Sequence, residues 1–228
     1  MTEYSRRITI TGKRWNEIGG QKTQEVHYQY EEKVTALLDQ IQSTRTGHAL
    51  LMDIDAYASK GKVKIWPPLS QHKRACYATV PLYMKAGKIL READVEFVPS
   101  SFGNACSGVG TSPEEALFHE LLHAAQTLHG VLDRTPIAKA PKMTDYAEFC
   151  AVTASNIFRS DLGRRDLRAG HEGRDAAVTL TDPADYYQFF RDEIDRWFRI
   201  QPVFCGHLAM MDIPFNPLRA KTRSARPA

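Results

Sequence analysis

Apolar and polar positions along the chain first alternate and then change period. Ile8 and Ile10 are interleaved with threonines, the period-two pattern of an N-terminal strand. Over residues 23–43, Val26, Tyr30, Val34, Leu37, Leu38 and Ile41 recur at helical spacing and predict one amphipathic helix. Residues 48–54 (HALLMDI) and 62–66 (KVKIW) read as strands, the second closed by Pro67 and Pro68. Residues 80–84 are ambiguous, because Pro81 is unfavourable inside a central strand. Residues 94–98 (DVEFV) alternate again and end at Pro99, ahead of a loop of small residues at 100–111. From Pro113 to about Ile200 the spacing is helical, with a helix expected over 182–200 that carries Tyr186, Phe189, Phe190, Ile194 and Trp197 on its apolar side. Strands first and helices second predict an α+β fold, a small N-terminal sheet with a helix and a helical C-terminal half. A single domain over residues 1–216 is expected. The tail at 217–228 is basic and poor in large apolar side chains, so it is expected to be disordered.

Composition narrows the function classes. Hydrophobic residues at 43% and charged ones at 25% are the balance of a globular chain, not a disordered one. A formal charge of +3 is too small to predict a nucleic-acid partner. Arg6 and Arg7, Arg164, Arg165 and Arg168, and Lys221, Arg223 and Arg226 read as solvated surface charge. Cys76, Cys106, Cys150 and Cys205 are widely spaced without a CxxC pair, which leaves the redox compartment open. The first residues, MTEYSRRITITGKRW, put charge where a secretory signal would be apolar. No apolar run reaches the length of a bilayer crossing, so a soluble monomer without a membrane partner is expected.

The chemistry is concentrated in residues 112–130, SPEEALFHELLHAAQTLHG. Ser112 suits a cap, Pro113 the first helical position, Glu115 the far side of a capping box, and Gly130 the exit. His119 and His123 then stand one turn apart on one helix face, roughly 6 Å between Cβ atoms. That spacing lets two imidazoles converge on one tetrahedral zinc ion. Glu120 is offset around the helix, placed to act as a general base on water rather than as a ligand. With eight histidines in the chain, HExxH arises by chance only about 0.02 times. The flanks Ala116, Leu117, Phe118, Leu121, Leu122, Ala124 and Ala125 make the helix a buried one, in which three polar side chains need partners.

Three residues compete for the third ligand. His129 completes the spacing HExxHxxQxxH, but on an unbroken helix it lies about 9 Å along the axis from His123 and off the metal-binding face. Gln126 occupies the place where the metzincin pattern has the glycine that turns the chain back. The gluzincin alternative takes a glutamate from the next helix, expected over 145–160 with Thr144 as its cap. Glu148, in its first turn among Ala147, Phe149, Ala151 and Val152, is favoured. Asp145 is a lesser rival, similar to the aspartate ligand of aspzincins. Tyr146, Arg159, Arg165, Tyr186 and Tyr187 are candidates for stabilising an oxyanion. Residues 94–98 are a candidate edge strand for an extended substrate, and Cys106 for an inhibitory thiolate.

The helix at 113–130 resembles the zinc helix of clostridial neurotoxin light chains, and more closely that of the NleD-like family of type III secreted metallopeptidase effectors. The resemblance rests on a strand ending at Pro99, a glycine-rich loop, P-x-x-x-L-F-H-E-L-x-H-A-x-Q, and a following helix that continues through Asn156, Arg159 and Gly163. It covers residues 94–168. It implies a zincin-like fold, one zinc ion and delivery into the host cell cytoplasm without a classical signal peptide, where stress-activated MAP kinases would be cleaved. Alternatives are a bacterial zincin with a peptide-processing or antibacterial role, resident in the bacterial cytoplasm, and a zinc-stabilised binding protein without protease activity.

Overall fold

The computed structural model describes residues 1–18, 20–57, 61–68, 77–79, 82–85, 88–99, 112–168, 170 and 181–224. Nine strands are formed among them. They are β1 (Thr2–Glu3), β2 (Ile8–Ile10), β3 (Lys13–Ile18), β4 (Gln21–Val26), β5 (Val63–Trp66), β6 (Tyr77–Thr79), β7 (Leu82–Lys85), β8 (Lys88–Arg91) and β9 (Ala93–Glu96). Five of them make one sheet in the order β1-β2-β5-β9-β6. The centre, β2, β5 and β9, is parallel, and both outer pairs are antiparallel. Residues 94–98 therefore do not form an edge. β9 is flanked by β5 and β6, which leaves β1 and β6 as the outer strands.

Strand alternation decides what the sheet covers. Ile8, Ile10, Val63, Ile65, Ala93 and Val95 are all fully buried, as expected when period-two positions face a helical layer. That layer begins with α1 (Tyr30–Gln42), whose Tyr30, Val34, Leu38 and Ile41 are buried at helical spacing. The helix starts later than its periodicity suggests. Residues 21–26 belong to the β3-β4 hairpin instead, which turns through Gly20 at φ 80°, and α1 opens only after Gln29 in the left-handed region.

Residues 48–54 are helical, not a strand. They lie in α2 (Arg45–Met52) and in the single π-helical turn Asp53–Tyr57 that follows. A short apolar run does not distinguish a buried strand from a buried helix. Here Thr44 decides, accepting the Gly47 N–H at 2.9 Å as an N-cap. Gly47 is needed for a second reason, since a Cβ there would meet the Ile41 carbonyl oxygen at 2.0 Å.

The C-terminal half is α3 (Pro113–His129), α4 (Tyr146–Asp161), α5 (Pro183–Phe189), α6 (Arg191–Ile200), α7 (Pro202–Met210) and α8 (Pro217–Ser224). The expected helix over 182–200 is two helices, broken where Phe190 leaves helical geometry at φ −106° and ψ 31°. The expected disordered tail is helical as far as Ser224, because Leu218 is fully buried and α8 packs on α5 and α7. Residues 225–228, the loop at 100–111 with Cys106, Cys76, and Val80 and Pro81 lie outside the described residues. The molecule is thus a mixed α+β structure, with α3 packed between the sheet, α1 and α4. Among the described residues no helix is long and apolar enough to cross a membrane.

Candidate metal centre

α3 runs unbroken from Pro113 to His129 and ends at Gly130 in the left-handed region, φ 71°. Its start differs from the expected capping box. Ser112 makes no cap hydrogen bond; its hydroxyl donates to Glu114 and accepts from Arg164. Glu115 turns inward, where it is fully buried against Arg159, Arg164 and Arg168. This ion cluster ties the first turn of α3 to the end of α4 and the segment after it. Asn156 holds that segment through both groups of its amide, donating to the Arg168 carbonyl at 3.0 Å and accepting the Arg168 N–H at 2.7 Å. Arg164 and Arg168 are therefore not solvated surface charge, while Arg165 is exposed.

α4 begins one residue later than expected. Asp145, not Thr144, is its cap and accepts the Glu148 N–H at 2.9 Å. This places Glu148 in the first turn, facing α3. His119, His123 and Glu148 are buried together, and their ligand atoms all lie within 4.8 Å of one another. His119 Nε2 and His123 Nε2 are 3.2 Å apart. Glu148 Oε2 is 3.2 Å from the first and Oε1 3.2 Å from the second. Two bonds of ~2.1 Å at a tetrahedral angle separate donor atoms by roughly 3.4 Å. The observed spacing is that of a donor set able to hold a metal ion.

Protonation agrees with that role at His119 and Glu148. Burial pushes His119 down to about 3, so its ring is neutral. Burial works against the Glu148 carboxylate, yet the hydrogen bonds to His119 and His123 outweigh it and hold Glu148 far below the usual carboxylate range. Burial also lowers His123, but its bond to Glu148 and the charges of Glu148 and Glu120 leave it raised. Glu120 is buried beside this cluster, and its charge acts on both His123 and Arg168.

The rivals for the third position are engaged elsewhere. His129 Nε2 meets Asp53 at 2.8 Å, and Asp145 caps α4 and pairs with Arg134 at 3.3 Å. Four of the five oxyanion candidates are also committed, and the fifth, Arg165, is exposed. Tyr146 donates to the Glu193 carbonyl, Tyr186 is bonded to Thr153, Tyr187 to Asp195, and Arg159 to Glu115 and Asp166. Three contacts to the cluster were not anticipated. Arg134 reaches Glu148 Oε1 at 3.2 Å, Gln126 Oε1 lies 3.4 Å from His123 Nδ1, and Ser155 Oγ lies 3.4 Å from His119 Nδ1. Gln126 alone carried a signal, as the residue in place of the metzincin glycine.

The chain belongs to the M91 peptidase family, whose sequence model, described as "Effector protein", matches residues 19–164. This is the NleD-like family that residues 94–168 resemble, and the match includes the whole of α3 and α4. No curated protein and no solved structure matches the chain.

Proposed function

We propose that this peptidase is a zinc-dependent endopeptidase with a zincin-like fold, in which His119, His123 and Glu148 hold one zinc ion and Glu120 is the catalytic base. The observation that carries the reading is the convergence of three buried donor side chains at 3.2 Å spacing, one residue from a buried carboxylate. A bound zinc ion would lower the pKa of a water molecule and polarise the scissile carbonyl. Glu120 takes the proton of the attacking water and passes it to the departing amine. Its burial limits hydration of the carboxylate, and the nearby Arg168 charge steadies its anionic form. Arg134 also contacts Glu148 Oε1 at 3.2 Å, a second partner that helps to orient the ligand carboxylate.

Family membership supports the biological setting: an effector delivered into the host cell cytoplasm, where it cleaves a host signalling protein. Stress-activated MAP kinases are the substrate class we propose, on the resemblance of residues 94–168 to the NleD-like family. Glu120 argues against a purely structural zinc site, which has no use for a carboxylate beside its ligands.

The test is metal content by elemental analysis together with cleavage of a kinase panel, for wild type and Glu120→Ala. One zinc in both proteins, with cleavage by wild type only, is expected. Zinc without cleavage of any kinase removes the substrate assignment, and absence of zinc from the wild type removes the mechanism.

A further inference from the structure

Gln126 is fully buried on α3, three residues after His123. Its Oε1 lies 3.4 Å from His123 Nδ1. Its Nε2 has no hydrogen-bond partner among the described residues beyond the flanking Cys150 thiol, a weak partner at best. A buried amide satisfied on one side only is a poor choice for packing an apolar helix. An aliphatic side chain would fill the same space without the cost, so packing alone does not account for Gln126.

We propose that Gln126 is a positioning residue for the metal, holding His123 in the tautomer whose Nε2 lone pair faces His119 and Glu148. The proposal rests on the zinc reading above. A neutral imidazole carries a proton on one nitrogen and a lone pair on the other. An amide oxygen only accepts, so a bond from Nδ1 to Gln126 Oε1 keeps the proton on Nδ1. Glu148 Oε1, 3.2 Å from His123 Nε2, pulls the other way before metal arrives, since the carboxylate favours a proton on Nε2. When Nε2 gives up its proton to ligate, Gln126 keeps the remaining one on Nδ1 and leaves the Nε2 lone pair on the side of His119 and Glu148. Ser155 does not share this role. Its hydroxyl, near His119 Nδ1, can donate or accept, and so selects neither tautomer.

The test compares the full-length wild type with Gln126→Leu, Gln126→Glu and Ser155→Ala. Zinc affinity is read by competition with a chromophoric chelator, and the melting temperature is read without metal. Long-range proton–nitrogen spectra of the metal-free protein, recorded at a pH high enough for the His123 ring to be neutral, report its tautomer directly. Gln126→Leu is expected to weaken zinc binding by about 10- to 100-fold without lowering the metal-free melting temperature. Gln126→Glu, which restores an acceptor, should regain most of the affinity, and Ser155→Ala should lose less than Gln126→Leu. In the spectra, wild-type His123 should carry its proton on Nδ1, with the Nε2–H form growing in Gln126→Leu. Wild-type affinity in Gln126→Leu, or a neutral wild-type His123 whose single proton sits on Nε2, overturns the proposal and leaves the zinc reading standing. A wild type that binds no zinc overturns both.

Discussion

His129 Nε2 lies 2.8 Å from Asp53, so the third histidine of HExxHxxQxxH joins α3 to the π-helical turn after α2 and not to the metal cluster. Asp53 is almost fully buried, so its carboxylate depends on this contact. His129→Ala should therefore keep one zinc per chain and wild-type cleavage. It should lose about 1–3 kcal/mol of stability, the cost of a buried acceptor deprived of its partner. Elemental analysis and denaturant unfolding would check this, and loss of zinc at unchanged stability would return His129 to the ligand set.

The buried cluster at the start of α3 predicts an asymmetry. Among the described residues, Glu115 is the carboxylate that Arg159, Arg164 and Arg168 all face. Removing it leaves guanidinium groups crowded in a desolvated space, whereas removing Arg159 leaves Glu115 with two cations. Glu115→Ala should cost about 3–5 kcal/mol, and Arg159→Ala should cost less. Equal losses in urea unfolding would show that the three arginines do not act on Glu115 together.

How far the sequence could be read follows from the range of each interaction. His119, Glu120 and His123 are legible because their relation is local, one turn of one helix, and Gly130 marks where that helix stops. Glu148 is legible because an acidic residue in an apolar first turn is conspicuous before any packing is known. Arg134, Ser155 and Arg168 leave no such mark, since only the packing of α4 and its flanking segments on α3 brings them to the cluster. Residues 48–54 resemble a strand in sequence because a helix buried on several sides loses its polar face, and Thr44 is the local mark of the helix. The tail is the opposite case, because one buried leucine, Leu218, is enough to dock a short basic helix.

Asp94 supplies a pH dependence away from the metal cluster. Burial raises its carboxyl above the ordinary value, with Glu92 and Glu96 adding to the effect against Lys64 and Arg14. Its Oδ1 has no hydrogen-bond partner among the described residues. A carboxyl with a higher pKa in the folded chain than in the unfolded one opposes folding once both states are ionised. That penalty fades as the pH falls through the raised value and is gone below the unfolded one. Asp94→Asn should therefore raise the melting temperature at about pH 7.5 and have little effect near about pH 3.5. A variant less stable than wild type at the higher pH would mean that the ionised carboxylate holds the sheet together.

Glu148 decides between a donor set and an accidental cluster. Without its carboxylate, His119 and His123 still face each other 3.2 Å apart, and His119 stays neutral because burial holds it down to about 3. The fold should therefore survive Glu148→Ala, with two imidazoles that hold zinc only weakly. Zinc content should become substoichiometric after dialysis, and cleavage should disappear without regain at moderate added zinc. Wild type stripped by a chelator should behave differently. It should regain both activity and stability on adding zinc, by about 4 kcal/mol when free zinc is roughly a thousand times the dissociation constant. If Glu148→Ala kept one zinc through dialysis and still cut, the third ligand would have to come from another residue, and the Arg134–Glu148 contact would be an ordinary ion pair between α4 and the loop before it.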